Sequence, residues 1–433
     1  MTASASTARA PWVLLFVAVA LIAMNMRMTI TGVGPLIEQI AADQGVSPAT
    51  LGILASVPLL AWGLFSPIAQ TIGARLGMSR TISWSLVVLA AGTVWRSVPG
   101  SPLNLWLGTA LIGFGLAIGN VLMPAVIKRD FGERIPLVMG VYTALLSGSA
   151  AVASGIVVPI SELESVSGEQ LGWRIALLAT GALLPAALLL WMWVTRGEGS
   201  GRGASAQHAG SPGAGSPAAA AASLHAPPPV AARVGRRIWA DPLAWIVSIY
   251  MGSQSASYYI LATWIAPYSA SLDRSAVLAG IDTMIFQLLG VAGSMLLPFV
   301  IRGRAQPWGP ALVAGVSLIA SIGYLALPAL LPAWLVLGGL SAGASLTIAL
   351  MLTATRARTA QHAAALSGMA QSVGYLIAAA GPIVFGWLLG LGGGSSGAWI
   401  APFALVWLVT AVQIVFGLAV RKPRFVLEPR PER

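Results

Sequence analysis

Arg27 is a cation placed where lipid tails would surround it. Residues 11–37 (PWVLLFVAVALIAMNMRMTITGVGPLI) form an apolar run of 27 residues in which Arg27 is the one ionisable side chain. A helix of that length spans the hydrocarbon core of a bilayer, which is about 30 Å thick at about 1.5 Å per residue. A guanidinium near its middle costs at least about 2.5 kcal/mol. That cost is offset when the charge faces a wet cavity or an anion. Thr31 and Gly34, at i+4 and i+7, keep the same helix face polar and small. A planar fork of N–H donors there would hold an anion or a nitro group through charge-assisted hydrogen bonds. The alternative is an ion pair within the protein, with Asp282 as the obvious partner.

Other polar side chains sit in equally apolar surroundings. Gln254 with Tyr258, and Gln371 with Tyr375, repeat a Gln-x-x-x-Tyr spacing that puts both groups on one helix face. Amide plus phenol suits the lining of a small polar solute, whereas membrane tyrosines otherwise anchor at interfaces. These tyrosines lie deep in their helices, which favours a cavity; Tyr259 and Tyr142 are further cavity candidates. Asn120 follows a Gly115-x-x-x-Gly119 pair that lets helices approach closely. It would donate to a solute or bind two helices together. Asp282 is a carboxylate inside a helix, a candidate for proton coupling, for pairing with Arg27, or for reaching outer water. Gln287 lies five residues further in. Lys128, Arg129 and Arg356 end apolar helices and read as gate residues or as charges facing lipid headgroups.

The elements that must position these groups follow from composition. The chain has 433 residues, 57% hydrophobic and 9% charged. Soluble domains carry about 25% charged residues, so this is an all-α, polytopic membrane protein. Twelve apolar stretches are long enough to span: 11–37, 49–74, 79–97, 103–127, 135–160, 172–195, 241–269, 275–301, 307–328, 332–355, 362–390 and 398–420. The ninth is the weakest, because Pro307 and Pro310 fall at its start. With the N-terminus inside, 20 of the 24 basic residues fall on the cytoplasmic side. The net charge of +11 is thus explained by the positive-inside rule rather than by nucleic-acid binding. Both termini are expected in the cytoplasm of an inner or plasma membrane. There is no cysteine, hence no disulfide and no thiolate chemistry.

Residues 197–236 are dominated by Gly, Ala, Ser and Pro and read as a flexible cytoplasmic linker. Its His208 and His225 read as solvated. The linker divides the chain into an N-terminal six-helix bundle (1–196), a linker (197–240) and a C-terminal six-helix bundle (241–433). An offset of 228 residues places Gly115 on Gly343, Met123 on Met351, Lys128 on Arg356 and Gly140 on Gly368. Two homologous bundles are therefore expected, with a substrate held at mid-membrane between them.

Three blocks carry a family resemblance: MNMRMTITGVGPLI in the first span, GNVLMPAVIKRDFGERIPLVMGVYTA across the fourth and fifth, and LSGMAQSVGYLIAAAGP in the eleventh. The chain resembles the major facilitator superfamily and, within it, the cyanate porter family, which also includes a nitroimidazole transporter. The loop after the second span reads IGARLGMSR, keeping Arg75 and Gly77 but placing Ala74 where the superfamily motif has Asp. The resemblance implies a major facilitator fold and adds weight to Arg27, Asn120, Gln371 and Tyr375.

The expected function is secondary transport by alternating access of a small anion or small polar compound, cyanate or a nitroimidazole being the family-implied examples. No nucleotide-binding loop or metal cluster is legible, so no cofactor and no enzyme activity are expected, and the energy would come from a gradient, most simply of protons. The protein is expected to act as a monomer, with lipid and a small molecule as partners. The rival readings are a multidrug or metabolite efflux antiporter, for which AAAGP near Pro382 argues, and a membrane sensor, against which the lack of a signalling domain argues.

Overall fold

The structure, a computed structural model, describes residues 12–164, 168–196, 237–393 and 397–428. The expected 197–236 linker lies outside them. Fourteen α-helices account for the described chain. In the first half they are α1 (Trp12–Thr31), α2 (Ile37–Gln44), α3 (Pro48–Leu76), α4 (Met78–Ser97), α5 (Leu103–Asp130), α6 (Ile135–Glu162), α7 (Gly172–Ala179) and α8 (Leu184–Thr195). In the second they are α9 (Pro242–Ala270), α10 (Ala276–Val300), α11 (Gly309–Ala326), α12 (Leu331–Thr355), α13 (Ala360–Leu391) and α14 (Ile400–Ala419). α1 and α2 form one interrupted span, and so do α7 and α8. Counted that way the helices make twelve spans, six in each half.

Among the described residues, nine of these spans are long and apolar enough to cross a membrane. α3 contributes a shorter apolar stretch, Thr50–Ser66, and the sequences of α4 and α9 carry polar groups. α4 carries Arg80 and Arg96, and α9 carries Ser248, Ser253, Gln254, Ser255 and Ser257, all five buried. α9 is buried along most of its length and needs little lipid-compatible surface, whereas α4 keeps Trp84, Val87 and Val94 exposed. The ninth span forms despite its prolines, because Pro310 falls in the first turn of α11, where no intrahelical amide is needed.

Local signals fix where helices start and break. Ser47 caps α3 by accepting from the Thr50 amide, with Pro48 in the first turn. Asp241 caps α9 and Thr359 caps α13 in the same way. The first span is interrupted at Gly34–Leu36, a 3₁₀ turn containing Pro35. The sixth is interrupted between Ala179 and Leu184.

The halves meet along two seams, α3 against α13 and α6 against α10. One end of the bundle carries the α8 and α9 termini that flank the linker; the other is the far end. Near the far end both seams close on glycine. A Cβ added at Gly52 would run into the carbonyl oxygen of Pro382, and one at Gly280 would lie 2.9 Å from the Ser154 carbonyl. Toward the linker end, Gly140 and Gly148 on α6 and Gly368 on α13 face open space. Gly140 and Gly368 are the repeat-related pair read from the sequence.

Candidate functional site

Arg27 lies at mid-height where the two halves meet. It is half-buried, and its Nη1 donates to the Tyr259 hydroxyl of α9 at 2.5 Å. Its guanidinium carbon lies 5.0 Å from the ring centroid of Trp62 on α3, within the range of a cation–π contact. Trp62 meets Tyr259 and Tyr375 edge-on, with centroids 6.1 and 5.2 Å away. Tyr258 stands edge-on to Tyr259 at 5.0 Å. Tyr258 and Tyr375 are both within electrostatic reach of Arg27. α1 and α3 from one half and α9 and α13 from the other thus build one aromatic box around a cation. Tyr142 of α6 is buried beneath it, its hydroxyl 3.5 Å from the Met26 sulfur.

Asp282 is not the partner of Arg27. It is buried near the far end of α10, where it accepts from Arg274 Nε at 2.7 Å and Nη2 at 2.8 Å. The Ser269 hydroxyl donates to it at 2.5 Å. Arg274 reaches it from the turn before α10. Among the described residues, no carboxylate lies within ion-pair distance of Arg27. The charge at the centre is therefore held by a phenol and an indole face, with no anion supplied by these residues.

The other candidates divide. Tyr375 joins the box; Gln371, one turn away, is half-buried and donates to Ser367 Oγ at 3.0 Å. Gln254 turns away from Arg27, into the second half. It donates to Ser255 Oγ at 2.7 Å and lines an internal cavity of about 20 Å³ with Ser257, Tyr324, Thr410 and Gln413. That volume suits about one water. Tyr258 lines the same cavity, so it borders both spaces. The shared face of the first Gln-x-x-x-Tyr pair is real, but its polar end points into a bundle. Asn120 is half-buried, with its Nδ2 buried and unpartnered. Gln287 crosses between halves, donating to Ser154 Oγ at 2.6 Å, and its Oε1 is buried and unpartnered.

The basic candidates stay at the linker end. Lys128 is exposed. Arg129 pairs with Asp130 at 2.6 Å and contacts Ser79 at 3.4 Å, both in its own half. Arg356 donates to the Val420 carbonyl, and its own carbonyl accepts from Val426 at 2.9 Å. These contacts tether the chain after α14 to α12 rather than joining the halves.

Trp62 was the residue that sequence reasoning missed. Its signal is position: a tryptophan midway along a span lies far from the interfaces where membrane tryptophans gather. Its indole N–H is buried and unpartnered. The arrangement can attract an anion or nitro group to Arg27 beside a cluster of aromatic rings. Among the described residues, no cluster of three His, Cys, Asp or Glu could hold a metal.

Comparison with known proteins agrees in scope with this geometry. The family model described as Major Facilitator Superfamily matches residues 15–382. The 2-nitroimidazole transporter of Escherichia coli (strain K12) is 34% identical over 419 residues, covering 96% of this chain and 98% of that protein. The cyanate transport protein CynX of the same organism is 25% identical over 406 residues, covering 94% and 96%. Among solved structures, a bacterial homologue of the human lysosomal transporter Spinster, inward-facing and occupied, superposes with a TM-score of 0.72 at 17% identity, covering 95% of each chain.

Proposed function

The chain belongs to the major facilitator superfamily, and from that premise we propose that this membrane transporter moves a small anion, or a flat compound with a nitro or carboxylate group, by alternating access. The observation that carries this reading is Arg27, a cation at the junction of the halves with no carboxylate beside it among the described residues. Tyr259 and Trp62 hold its guanidinium and leave donors for a solute. The Trp62, Tyr259 and Tyr375 rings border the guanidinium with apolar surface. The names of the relatives, a 2-nitroimidazole transporter and a cyanate transport protein, agree in chemistry: each solute is small and offers electron-rich acceptor atoms.

The linker end carries the basic residues, so it is read as the cytoplasmic end of an inner or plasma membrane. The close glycine contacts at the far end and the open space beside Gly140 and Gly368 support reading the conformation as inward-facing. Asp282, which holds Arg274 beside the far end, is the candidate for coupling to a proton gradient. The direct test is binding of cyanate and 2-nitroimidazole to the purified full-length chain, by calorimetry and by thermal shift. Saturable binding that is lost in Arg27→Ala supports the reading. A folded chain that binds neither solute, or binds them equally without Arg27, removes it.

A further inference from the structure

We infer that Arg96, a second buried arginine, is a positioning residue that sets the height and rotation of Arg27. Its side chain is 1% exposed at the far end of α4. Nη1 donates to the Thr29 carbonyl at 2.6 Å; Nη2 donates to the Leu177 carbonyl and the Thr180 hydroxyl, each at 3.3 Å. Both carbonyls have lost their helical donors. The Val33 amide turns to Ile30 rather than Thr29, and the Gly181 amide turns to Leu178 rather than Leu177. These are the interruptions of the first and sixth spans. A buried carbonyl without a donor is costly; the guanidinium supplies the Thr29 carbonyl and joins the Thr180 hydroxyl, itself 2.6 Å away, on the Leu177 carbonyl. Thr29 lies two residues beyond Arg27 on α1. A slip of one residue there would displace Arg27 by about 1.5 Å and turn it by about 100°, enough to take its fork off Tyr259. Among the described residues Arg96 has no carboxylate partner either. Its charge is spent on two helix breaks in the half that carries the anchor.

The inference rests on Arg27 being the solute anchor, so the test reads its position with and without a solute. The chain has no cysteine, and Arg27→Cys in the full-length protein in lipid nanodiscs reports the orientation of position 27 through its labelling rate with a charged thiol reagent. Gly368→Cys, in open space on α13 and away from the box, is the control in the other half. Adding Arg96→Met is expected to change the rate at position 27 at least fivefold and leave the rate at 368 unaltered. Thr180→Val, which removes one partner and keeps the arginine, is expected to give a two- to threefold change and serves if Arg96→Met does not fold. An unaltered rate at 27, or equal changes at both positions, overturns the inference. In the chain that retains Arg27, Arg96→Met should weaken 2-nitroimidazole or cyanate binding at least tenfold, and no further once Arg27 is Ala. Additive losses would also overturn it. If position 27 responds but the parent binds neither probe, the solute assignment fails and the positional inference stands.

Discussion

Replacing Arg27 by Ala separates a solute anchor from a structural charge through two numbers of different size. A solute anion about 4 Å from the guanidinium gains roughly 4 kcal/mol at an effective dielectric of about 20. A charge-assisted hydrogen bond to it is worth about 1.5–3 kcal/mol. Binding should therefore weaken by about 2–4 kcal/mol, or roughly 30- to 1000-fold. Stability should hardly move. Burying the charge costs at least about 2.5 kcal/mol. The bond to Tyr259 returns about 1.5–3 kcal/mol and the Trp62 face about 0.5–2 kcal/mol, so removing all three nearly cancels. A buried ion pair losing one partner would instead cost about 3–5 kcal/mol. The assay is calorimetry with cyanate and 2-nitroimidazole, beside a thermal unfolding scan of the ligand-free protein. Arg27→Lys keeps the charge but not the fork and should bind about tenfold more weakly than the parent. The reasoning is refuted if Arg27→Ala binds like the parent, or if it unfolds and Asp282→Ala restores both its stability and its binding.

Tyr259→Phe removes the hydroxyl that orients the guanidinium and should weaken binding about fivefold, roughly 1 kcal/mol; unchanged affinity in calorimetry would detach α9 from the site. Asp282→Asn should abolish uptake driven by a pH gradient in proteoliposomes while leaving equilibrium binding within about threefold; retained accumulation would remove Asp282 from coupling. Gly52→Ala drives a methyl into the Pro382 carbonyl and should shift the population toward a far-open state. Faster labelling of a reporter at Thr263→Cys by an impermeant reagent is the expected sign, and a slower or equal rate speaks against it. Single cysteines at Asp43 and Arg358, at opposite ends, should label and not label respectively in intact cells; the reverse pattern would invert the topology.

Apolar length made the architecture readable. Most spans face lipid on one side and must be apolar there, so they announce themselves. α4 and α9 read as spans in the sequence, and both form helices of 20 or more residues although their polar groups lower their hydropathy. Arg27 stood out because a lone charge in an apolar run has few explanations. Side-chain direction was harder to read. In a polytopic bundle a helix is surrounded by protein, so the spacing of Gln254 and Tyr258 fixes their shared face but not which interior it enters. The partner of Asp282 is Arg274 and not Arg27, because Arg274 lies in the turn just before α10. A long arginine stem lets it return to a carboxylate eight positions later. The role of Arg96 is equally hidden in the sequence, since the carbonyls it reaches come together only after the first and sixth spans have broken and folded.

The glycine-lined far end has a consequence for how the transporter responds to its surroundings. At Gly52 and Gly280 the seal consists of one backbone against another, closed by van der Waals contact rather than by ion pairs across the seam. Dispersion forces are not screened by salt, so the seal should hold equally in dilute and concentrated media. Parting the two surfaces breaks few directional bonds, and neither surface must shed a charge. The closed and open forms can therefore lie within a few kcal/mol of each other, a gap that a single bound solute is able to tip.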